Sequence, residues 1–202
     1  MTGKIYRTGD VMVDCLRNYI VMANEKSRIL KRFGLSPRDY ILVTIHREKN
    51  TELDRLALIA RMLISLRDYD FVFPIHPRTK KSLETIGLDG NLERAKNITI
   101  TEPLNYLDFV NLEANASKIM TDSGGVQKEA YVTGVPCITM RDTTELVETV
   151  AEGWNVLVDI DQKRIKQALG TFNPSKHGRR NSLGDGNSAS RISRILASYG
   201  KK

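Results

Sequence analysis

The sequence predicts an α/β fold in which a parallel sheet is covered by helices on both faces. Short apolar runs alternate along the chain with longer segments of helical periodicity, the pattern of strands joined by crossover helices. Two of these runs, residues 40–45 and 135–140, are almost wholly apolar, as strands buried on both faces are. A polar cluster directly follows each of five predicted strands, and this indicates one polar edge of the sheet.

The individual elements follow in chain order. We predict strands at 4–7, 40–45, 71–75, 97–101, directly before Asp122, at 135–140 and at 156–158. We predict helices at 11–21 with a charged continuation to 33, at 52–66, 79–86 and 106–115, after Gly125, through Val150, at 162–169 and at 187–199. Residues 173–185 are polar and predicted to be loop. In the helix at 52–66, apolar residues recur at the spacing of one buried face.

Length and composition indicate one globular domain, or one domain with an appendage. The chain has 202 residues, of which 41% are hydrophobic and 27% are charged, and this allows a sizeable core. No apolar run approaches the roughly 20 residues that a membrane span needs, and residues 1–10 are too polar for a secretory signal. Cys15 and Cys137 lack the spacing of a disulfide framework or a zinc site. We therefore expect a cytoplasmic protein with no membrane partner.

The net charge of +7 raises the question of a nucleic-acid partner. Basic residues are spread along the chain, and no helix-turn-helix, zinc-finger or aromatic RNA-binding signature accompanies them. Basic helix faces explain this charge, and part of it can serve anionic ligands. We therefore expect no nucleic-acid partner.

The stretch at 118–130 reads as a short strand, a Ser-Gly-Gly turn and a helix. Asp122 or Ser123 can cap the helix through a side-chain oxygen, and the glycines let a ligand approach the backbone. The helix start offers free N–H groups and a positive dipole end to an anion. Glu129, between one and two turns further on, can accept two hydrogen bonds from a ribose diol. A nucleoside diphosphate fits this pattern; a capped helix after a buried strand is the alternative.

Four further polar clusters favour the nucleotide site over that alternative. They follow other predicted strands, at residues 46–50, 76–79, 102–106 and 141–145. Ligands of open parallel sheets bind beyond the carboxyl ends of the strands, so five clusters at one edge indicate a binding site there.

With these clusters, the chain resembles the UDP-N-acetylglucosamine 2-epimerase family. The resemblance runs from about Lys4 to Leu196, and three segments carry it: Pro-Leu-Asn-Tyr-Leu-Asp-Phe at 103–109, Thr-Asp-Ser-Gly-Gly-Val-Gln-Lys-Glu-Ala at 121–130, and Met-Arg-Asp-Thr-Thr-Glu at 140–145. The family has two Rossmann-like lobes, and this chain is similar to the C-terminal lobe of that glycosyltransferase-B-like fold. The resemblance implies three parts: 1–21 as a remnant strand and helix of an absent N-terminal lobe, 22–185 as a nucleotide-binding Rossmann-like domain, and 186–202 as a C-terminal helix.

The resemblance also assigns roles in nucleotide binding. It implies that Ser123, Gly124 and Gly125 hold the diphosphate of UDP. It assigns the ribose to Glu129 and the border of the uracil site to Phe109, for which plain core packing is the alternative.

At the other strand ends, the resemblance implies residues closer to the reaction. His46 and Arg47 are similar to the start of a motif implicated in catalysis near the leaving diphosphate. Arg141 would act near the phosphates, although an ion pair with Glu145 is the structural alternative. His76 and Asn50 fall in the substrate or effector region; for His76, an ordinary polar residue leaving a strand fits as well.

The family's reaction needs neither a redox cofactor nor a metal. A base removes the C2 proton of UDP-N-acetylglucosamine while UDP leaves C1, and return of the proton on the other face with re-addition of UDP gives UDP-N-acetylmannosamine. The family places the base on carboxylates of the first lobe. We therefore expect this chain to bind UDP and UDP-N-acetylglucosamine, and to be poorly active alone unless a homodimer or a partner chain supplies that lobe.

Two departures concern sugar specificity and rate. Lys49 stands where the family usually has an acidic residue, and Leu146-Val147 stands where many members have Arg-Pro.

A nucleotide-sugar glycosyltransferase lobe and a non-catalytic UDP-binding module are the alternative functions.

Overall fold

A computed structural model describes the chain over residues 4–174 and 180–199. Its strands are β1 (Ile41–Thr44), β2 (Phe71–Pro74), β3 (Ile98–Thr101), β4 (Lys118–Thr121), β5 (Cys137–Thr139) and β6 (Asn155–Leu157). They form one sheet in the order β3-β2-β1-β4-β5-β6, and every neighbouring pair is parallel. The predicted parallel α/β sheet is therefore confirmed.

Eleven helices connect and flank these strands within the described residues. They are α1 (Val11–Lys26), α2 (Ile29–Phe33), α3 (Glu48–Thr51), α4 (Leu53–Ser65), α5 (Pro77–Thr85), α6 (Asp89–Glu93), α7 (Tyr106–Asn115), α8 (Gly124–Thr133), α9 (Val147–Ala151), α10 (Gln162–Thr171) and α11 (Ser188–Tyr199). The sequence did not predict α3 and α6, because four or five residues are too few to show a helical period.

The alternation of side chains along the strands divides the core into two clusters, one on each face of the sheet. Ile41 and Val43 of β1 pack with apolar residues of α4, α5, α6 and α10. Leu42, between them, packs on the opposite face with residues of α2, α7 and α8. Because successive residues of a strand point to opposite faces, an almost wholly apolar run is what a sheet covered on both sides requires.

Residues 4–7 do not form the predicted strand. Residues 4–10 have no regular secondary structure, and two of their bonds run to the C-terminal part of the chain: the hydroxyls of Tyr6 and Tyr199 lie 3.1 Å apart, and the Asp10 N–H donates to the Leu183 carbonyl oxygen at 2.8 Å. The strand prediction is wrong because a strand needs a neighbour for its backbone groups, and the described sheet ends at β3 and β6.

Helix α1 joins the N-terminal part of the chain to the domain. It continues past residue 21 to Lys26 and packs against α7, α8 and α11. The predicted division at 21/22 therefore falls inside one continuous helix. The predicted loop at 173–185 is irregular at 173–174 and 180–185, and its remaining residues lie outside the described part of the chain.

Helix ends follow the local chemistry of their sequences. Gly34 and Gly134 end α2 and α8 with φ of 65° and 71°, a left-handed conformation that glycine adopts without strain.

None of the described helices combines the length and the apolar composition that crossing a membrane requires.

Candidate functional site

The strand order places a crevice beyond the carboxyl ends of β1 and β4. From β1 the chain moves outward to β2 and β3, then returns to the other side of β1 to form β4. Ligands of doubly wound sheets bind at such a reversal of strand order. The loops after β1 and β4 are those that carry His46, Arg47 and the Ser-Gly-Gly turn.

Asp122 ties these two loops together. Its side chain is fully buried, and its carboxylate accepts hydrogen bonds from the His46 N–H at 3.2 Å and the Arg47 N–H at 3.0 Å. It also accepts from Nδ2 of Asn50 at 3.2 Å. The buried carboxylate therefore fixes the strand-end residues of β1 against the start of α8.

Helix α8 begins at this crevice with the predicted cap and turn. Ser123 is the N-cap, and its Oγ accepts from the Val126 N–H at 3.4 Å. Gly124 and Gly125 form the first helical positions, and Gly125 has room for close approach because the side chains of Ser123 and Met12 lie 3.7 and 3.9 Å from where a Cβ would stand. The helix start therefore offers backbone N–H groups to an anion at a positive dipole end.

An ion-pair group lies beside this helix start. Nη1 and Nη2 of Arg141, after β5, bind both carboxylate oxygens of Glu145 at 2.9 and 2.8 Å, and Nη2 of Arg47 lies 3.8 Å from Oε1 of Glu145. A methyl group on Gly124 would lie 3.8 Å from Glu145 Oε2 and 3.9 Å from Arg47 Nη2. The predicted alternative for Arg141, an ion pair with Glu145, is thus present, and hydrogen bonding to Arg141 lowers the pKa of Glu145 to about 2.

The loop that carries this ion-pair group is held to α8 by hydrogen bonds. Oε1 of the fully buried Gln127 accepts from Thr144 Oγ1 at 2.6 Å and from Asn155 Nδ2 at 3.2 Å. Lys49 reaches the same loop from α3, with Nζ 2.9 Å from Oδ2 of Asp142. The departure from the family at Lys49 therefore gives an exposed ion pair across the crevice.

Glu129 lies one and a half turns along α8 in a mostly buried position. Its side chain is 5% exposed, and Oε1 accepts from the Tyr106 hydroxyl at 2.7 Å. Burial raises the pKa of Glu129, whereas the Tyr106 hydroxyl and the Glu113 carboxyl act to lower it. Glu113, on α7, is fully buried, and burial followed by the charge of Glu129 raises its pKa well above the usual glutamate range.

The remaining predicted residues occupy different surroundings. The rings of His46 and His76 lie side by side, with centroids 5.6 Å apart, and Nδ1 of His76 caps α5 by accepting from the Arg78 N–H at 3.2 Å. Asn50 is buried, with Nδ2 donating to Asp122 and Met140 and Oδ1 accepting from Arg55.

Phe109 is half-buried and packs against the core cluster beneath α7 and α8. The predicted alternative of core packing therefore describes at least part of its surroundings. A contact with uracil stays a prediction.

Chemically, the edge suits an anion with a polar diol beside it. Arg47, Arg141 and the start of α8 supply positive charge and donors, and Glu129 supplies an acceptor. Among residues 4–174 and 180–199, no group of three histidines, cysteines or acids is arranged to hold a metal ion.

The sequence did not predict the buried surroundings of three polar residues, Asp122, Gln127 and Glu113. Asp122 was expected only as a helix cap, and its bonds to the loop after β1 join residues 75 and 76 positions apart, beyond the reach of local pattern. Gln127 likewise bonds across the fold. Glu113 did leave a signal, because an acid stands three residues after Val110 in the buried stripe of α7.

Comparison with known proteins identifies the family. The family profile described as UDP-N-acetylglucosamine 2-epimerase matches residues 1–197. A UDP-N-acetylglucosamine 2-epimerase of Methanocaldococcus jannaschii is 41% identical over 205 residues, which cover 98% of this chain and 56% of that protein. Its crystal structure in complex with UDP-GlcNAc and UDP superimposes with a TM-score of 0.87 at 40% identity, over 96% of this chain and 55% of that one.

A relative with a different sugar also matches. The UDP-2,3-diacetamido-2,3-dideoxy-D-glucuronate 2-epimerase of Pseudomonas aeruginosa is 37% identical over 200 residues, or 96% of this chain and 53% of that protein. The chain spans about half the length of the curated relatives it matches, and its fold is that of one lobe of the two-lobed epimerase structures. The chain belongs to the UDP-N-acetylglucosamine 2-epimerase family.

Proposed function

We propose that the crevice at β1 and β4 binds the UDP part of a UDP-sugar. The diphosphate lies on Ser123, Gly124 and Gly125 at the start of α8, the ribose diol on Glu129, and the uracil beside Phe109. The relatives named for UDP-sugar substrates and the archaeal structure in complex with UDP support this assignment.

One observation gives the proposal its main support. The Ser-Gly-Gly helix start, Arg47 and Arg141 come from three adjacent strand ends, yet they surround the same point at the reversal of strand order. A helix N-terminus flanked by two guanidinium groups is suited to a diphosphate. Glu145 pairs with both arginines, and its single negative charge balances only one of their two positive charges, so an incoming diphosphate can take its place as their partner.

The reaction we propose is the family's epimerisation at C2, by elimination and re-addition of UDP. As UDP leaves C1, negative charge develops on the diphosphate, and the start of α8 and Arg141 stabilise it. His46, next to Arg47 at the end of β1, serves as general acid or as electrostatic support. Asn50 and the capping nitrogen of His76 are engaged within the chain, so we assign them to shaping the loops.

The base that removes the C2 proton is assigned, by the family resemblance, to a lobe that these 202 residues do not include. This chain by itself is therefore expected to bind UDP and to epimerise poorly. The P. aeruginosa relative is named for a different UDP-sugar. We therefore assign the nucleotide half of the substrate to this chain, and the sugar half to the lobe that these 202 residues do not include.

The test is proton NMR of UDP-N-acetylglucosamine in D₂O with the purified chain, together with titration by UDP. We expect UDP-dependent line broadening with an unchanged C2 proton signal. Glu129→Gln should weaken UDP binding about tenfold or more, because hydrogen bonds to a charged acceptor contribute about 1.5–3 kcal/mol. Glu148→Gln, at an exposed position on α9, is the matched control and should bind as the unaltered chain does.

The outcomes separate binding from catalysis. Loss of the C2 signal with appearance of the manno epimer would show that the base lies within this chain, contrary to the proposal. Absence of broadening with UDP would refute the nucleotide site itself.

A further inference from the structure

A fully buried carboxyl group lies beneath the proposed ribose site. Glu113 is 0% exposed, and neither of its carboxyl oxygens has a hydrogen-bond partner of normal geometry among the described residues. Burying a carboxyl group in this way costs stability, whereas an apolar side chain would pack at that position without the cost. Such a residue calls for a reason beyond packing.

The neighbour of Glu113 is Glu129. The two residues lie on the packed helices α7 and α8, and each affects the pKa of the other. Two carboxyl groups in one buried site do not both ionise at neutral pH, because like charges repel in a medium that screens poorly. Of the two, Glu113 is the more buried, and only Glu129 accepts a hydroxyl hydrogen bond, from Tyr106.

Within the described part of the chain, no basic group forms an ion pair with either carboxyl. The Tyr106 hydroxyl of α7 donates a hydrogen bond to Glu129. The ring of Tyr19 from α1 packs edge-on against the ring of Tyr106, with the ring centroids 4.9 Å apart. From β5, the buried Cys137 contributes no charge, because burial raises the pKa of its thiol. On α2, Lys31 and Arg32 are exposed.

We propose that Glu113 is a positioning residue that holds the shared proton of a carboxyl pair and so keeps Glu129 as the ionised partner that accepts the ribose diol. The inference rests on the proposed function, because it takes Glu129 as the ribose acceptor. A protonated Glu113 can donate a hydrogen bond to Glu129, and this donor favours the charged form of Glu129.

The consequence is a pH-dependent affinity for ribonucleotides. When Glu129 takes up a proton it loses acceptor capacity for the diol, so UDP binding weakens as the pH falls, by up to about tenfold per pH unit below the midpoint. Glu113→Leu removes the donor, so Glu129 takes up its proton at a higher pH. Glu113→Gln keeps an N–H donor of similar shape, so its binding curve follows that of the unaltered chain.

Calorimetric titration with UDP from about pH 5 to about pH 8 tests the proposal. We expect equal affinities at the alkaline end and an acid limb that moves to higher pH in Glu113→Leu alone. 2′-Deoxyuridine 5′-diphosphate, which lacks the diol, should bind more weakly with a flatter profile. A Glu113→Leu curve that overlays the unaltered chain, or that is weaker by the same factor at every pH, would overturn the positioning role.

Two further results keep the outcomes distinct. Failure of UDP to bind at any pH refutes the nucleotide site, whereas binding with an unmoved acid limb refutes only the role of Glu113. Should Glu113→Leu not fold, ¹³C NMR of glutamate carboxyls in the unaltered chain, assigned with Glu113→Gln, decides the matter. We expect the Glu113 signal to stay protonated after the exposed glutamates have ionised, and ionisation together with them would contradict the proposal.

Discussion

At the scale of single residues, Asp122 fixes the position of the loop after β1. Its buried carboxylate accepts hydrogen bonds from two backbone N–H groups of the loop after β1 and from the side-chain amide of Asn50 in α3. Hydrogen bonds to a carboxylate are stronger than those between neutral groups. The positions of His46 and Arg47 therefore depend on a residue that directly follows the neighbouring strand β4.

Replacing Asp122 with asparagine tests this dependence. The amide keeps the volume but offers one acceptor oxygen in place of two, and it turns an N–H group toward donors. We expect a loss of about 1–3 kcal/mol in the free energy of unfolding and weaker UDP binding. Denaturant unfolding and UDP titration measure the two effects, with the exposed Asp68→Asn as control.

Unchanged UDP affinity in a destabilised Asp122→Asn chain would separate the loop's position from nucleotide binding. It would then assign Asp122 to stability alone.

How far the sequence predicts such residues depends on the range of their contacts. The sequence analysis could name Ser123 and Glu129 because a helix cap and a position further along the same helix are local features. The partners of Asp122 lie 75 and 76 positions earlier, and those of Gln127 lie 17 and 28 positions later. Only the folded sheet brings them together.

At the scale of elements, helix α11 is held to α1 by a cap that comes from outside its own sequence. The Asp14 carboxylate of α1 accepts from the N–H groups of Ser188 and Ala189 at 3.1 and 2.8 Å. Hydrogen bonds from these N–H groups lower the pKa of Asp14. Arg191 pairs with Asp185 beside this contact at 2.5 Å, so charged groups fasten the start of α11.

Removal of that cap by Asp14→Ala should loosen α11. We expect backbone amides of α11 to exchange severalfold faster in hydrogen–deuterium exchange, while those of β1 and β4 keep their protection. Because the folded-state pKa of Asp14 is lowered, this support is present above the usual aspartate pKa and is lost as the pH falls through the lowered value. The unaltered chain should therefore show the same loosening in acid.

Asn18→Ala, at an exposed position of the same helix, controls for changes in α1 itself. Equal exchange of α11 in both variants would show that Asp14 does not cap it.

Elements were predictable where a period or a strong apolar run marks them. Helices α4, α7 and α10 and the inner strands are long or apolar enough to leave such a mark. Residues 4–7 show the limit, because their composition suits a strand but no partner strand exists for them in the described sheet. Pairing is decided by the whole fold and not by the segment.

At the scale of the whole molecule, the proposed pair of Glu113 and Glu129 sets stability against function. Burial raises the pKa of Glu113 well above that of an unfolded glutamate. A group with a raised folded pKa contributes its stability below the unfolded pKa, and this contribution is lost as the pH rises toward the folded value. The folded chain therefore becomes less stable relative to the unfolded chain across that interval because of Glu113.

Glu113→Met should accordingly raise the melting temperature, and by more at about pH 8 than at about pH 5. Over each pH unit in which unfolded Glu113 is ionised and folded Glu113 is not, the unaltered chain loses roughly 1 kcal/mol, or about 2–4 °C in melting temperature for a chain of this size. Thermal unfolding at both pH values measures this gain, with the exposed Glu25→Met as control. An equal gain in melting temperature at both pH values would mean that Glu113 is ionised in the folded chain. A gain that grows with pH, together with an acid limb of UDP binding that moves to higher pH in Glu113→Leu, would show that the same proton lowers stability and supports the site.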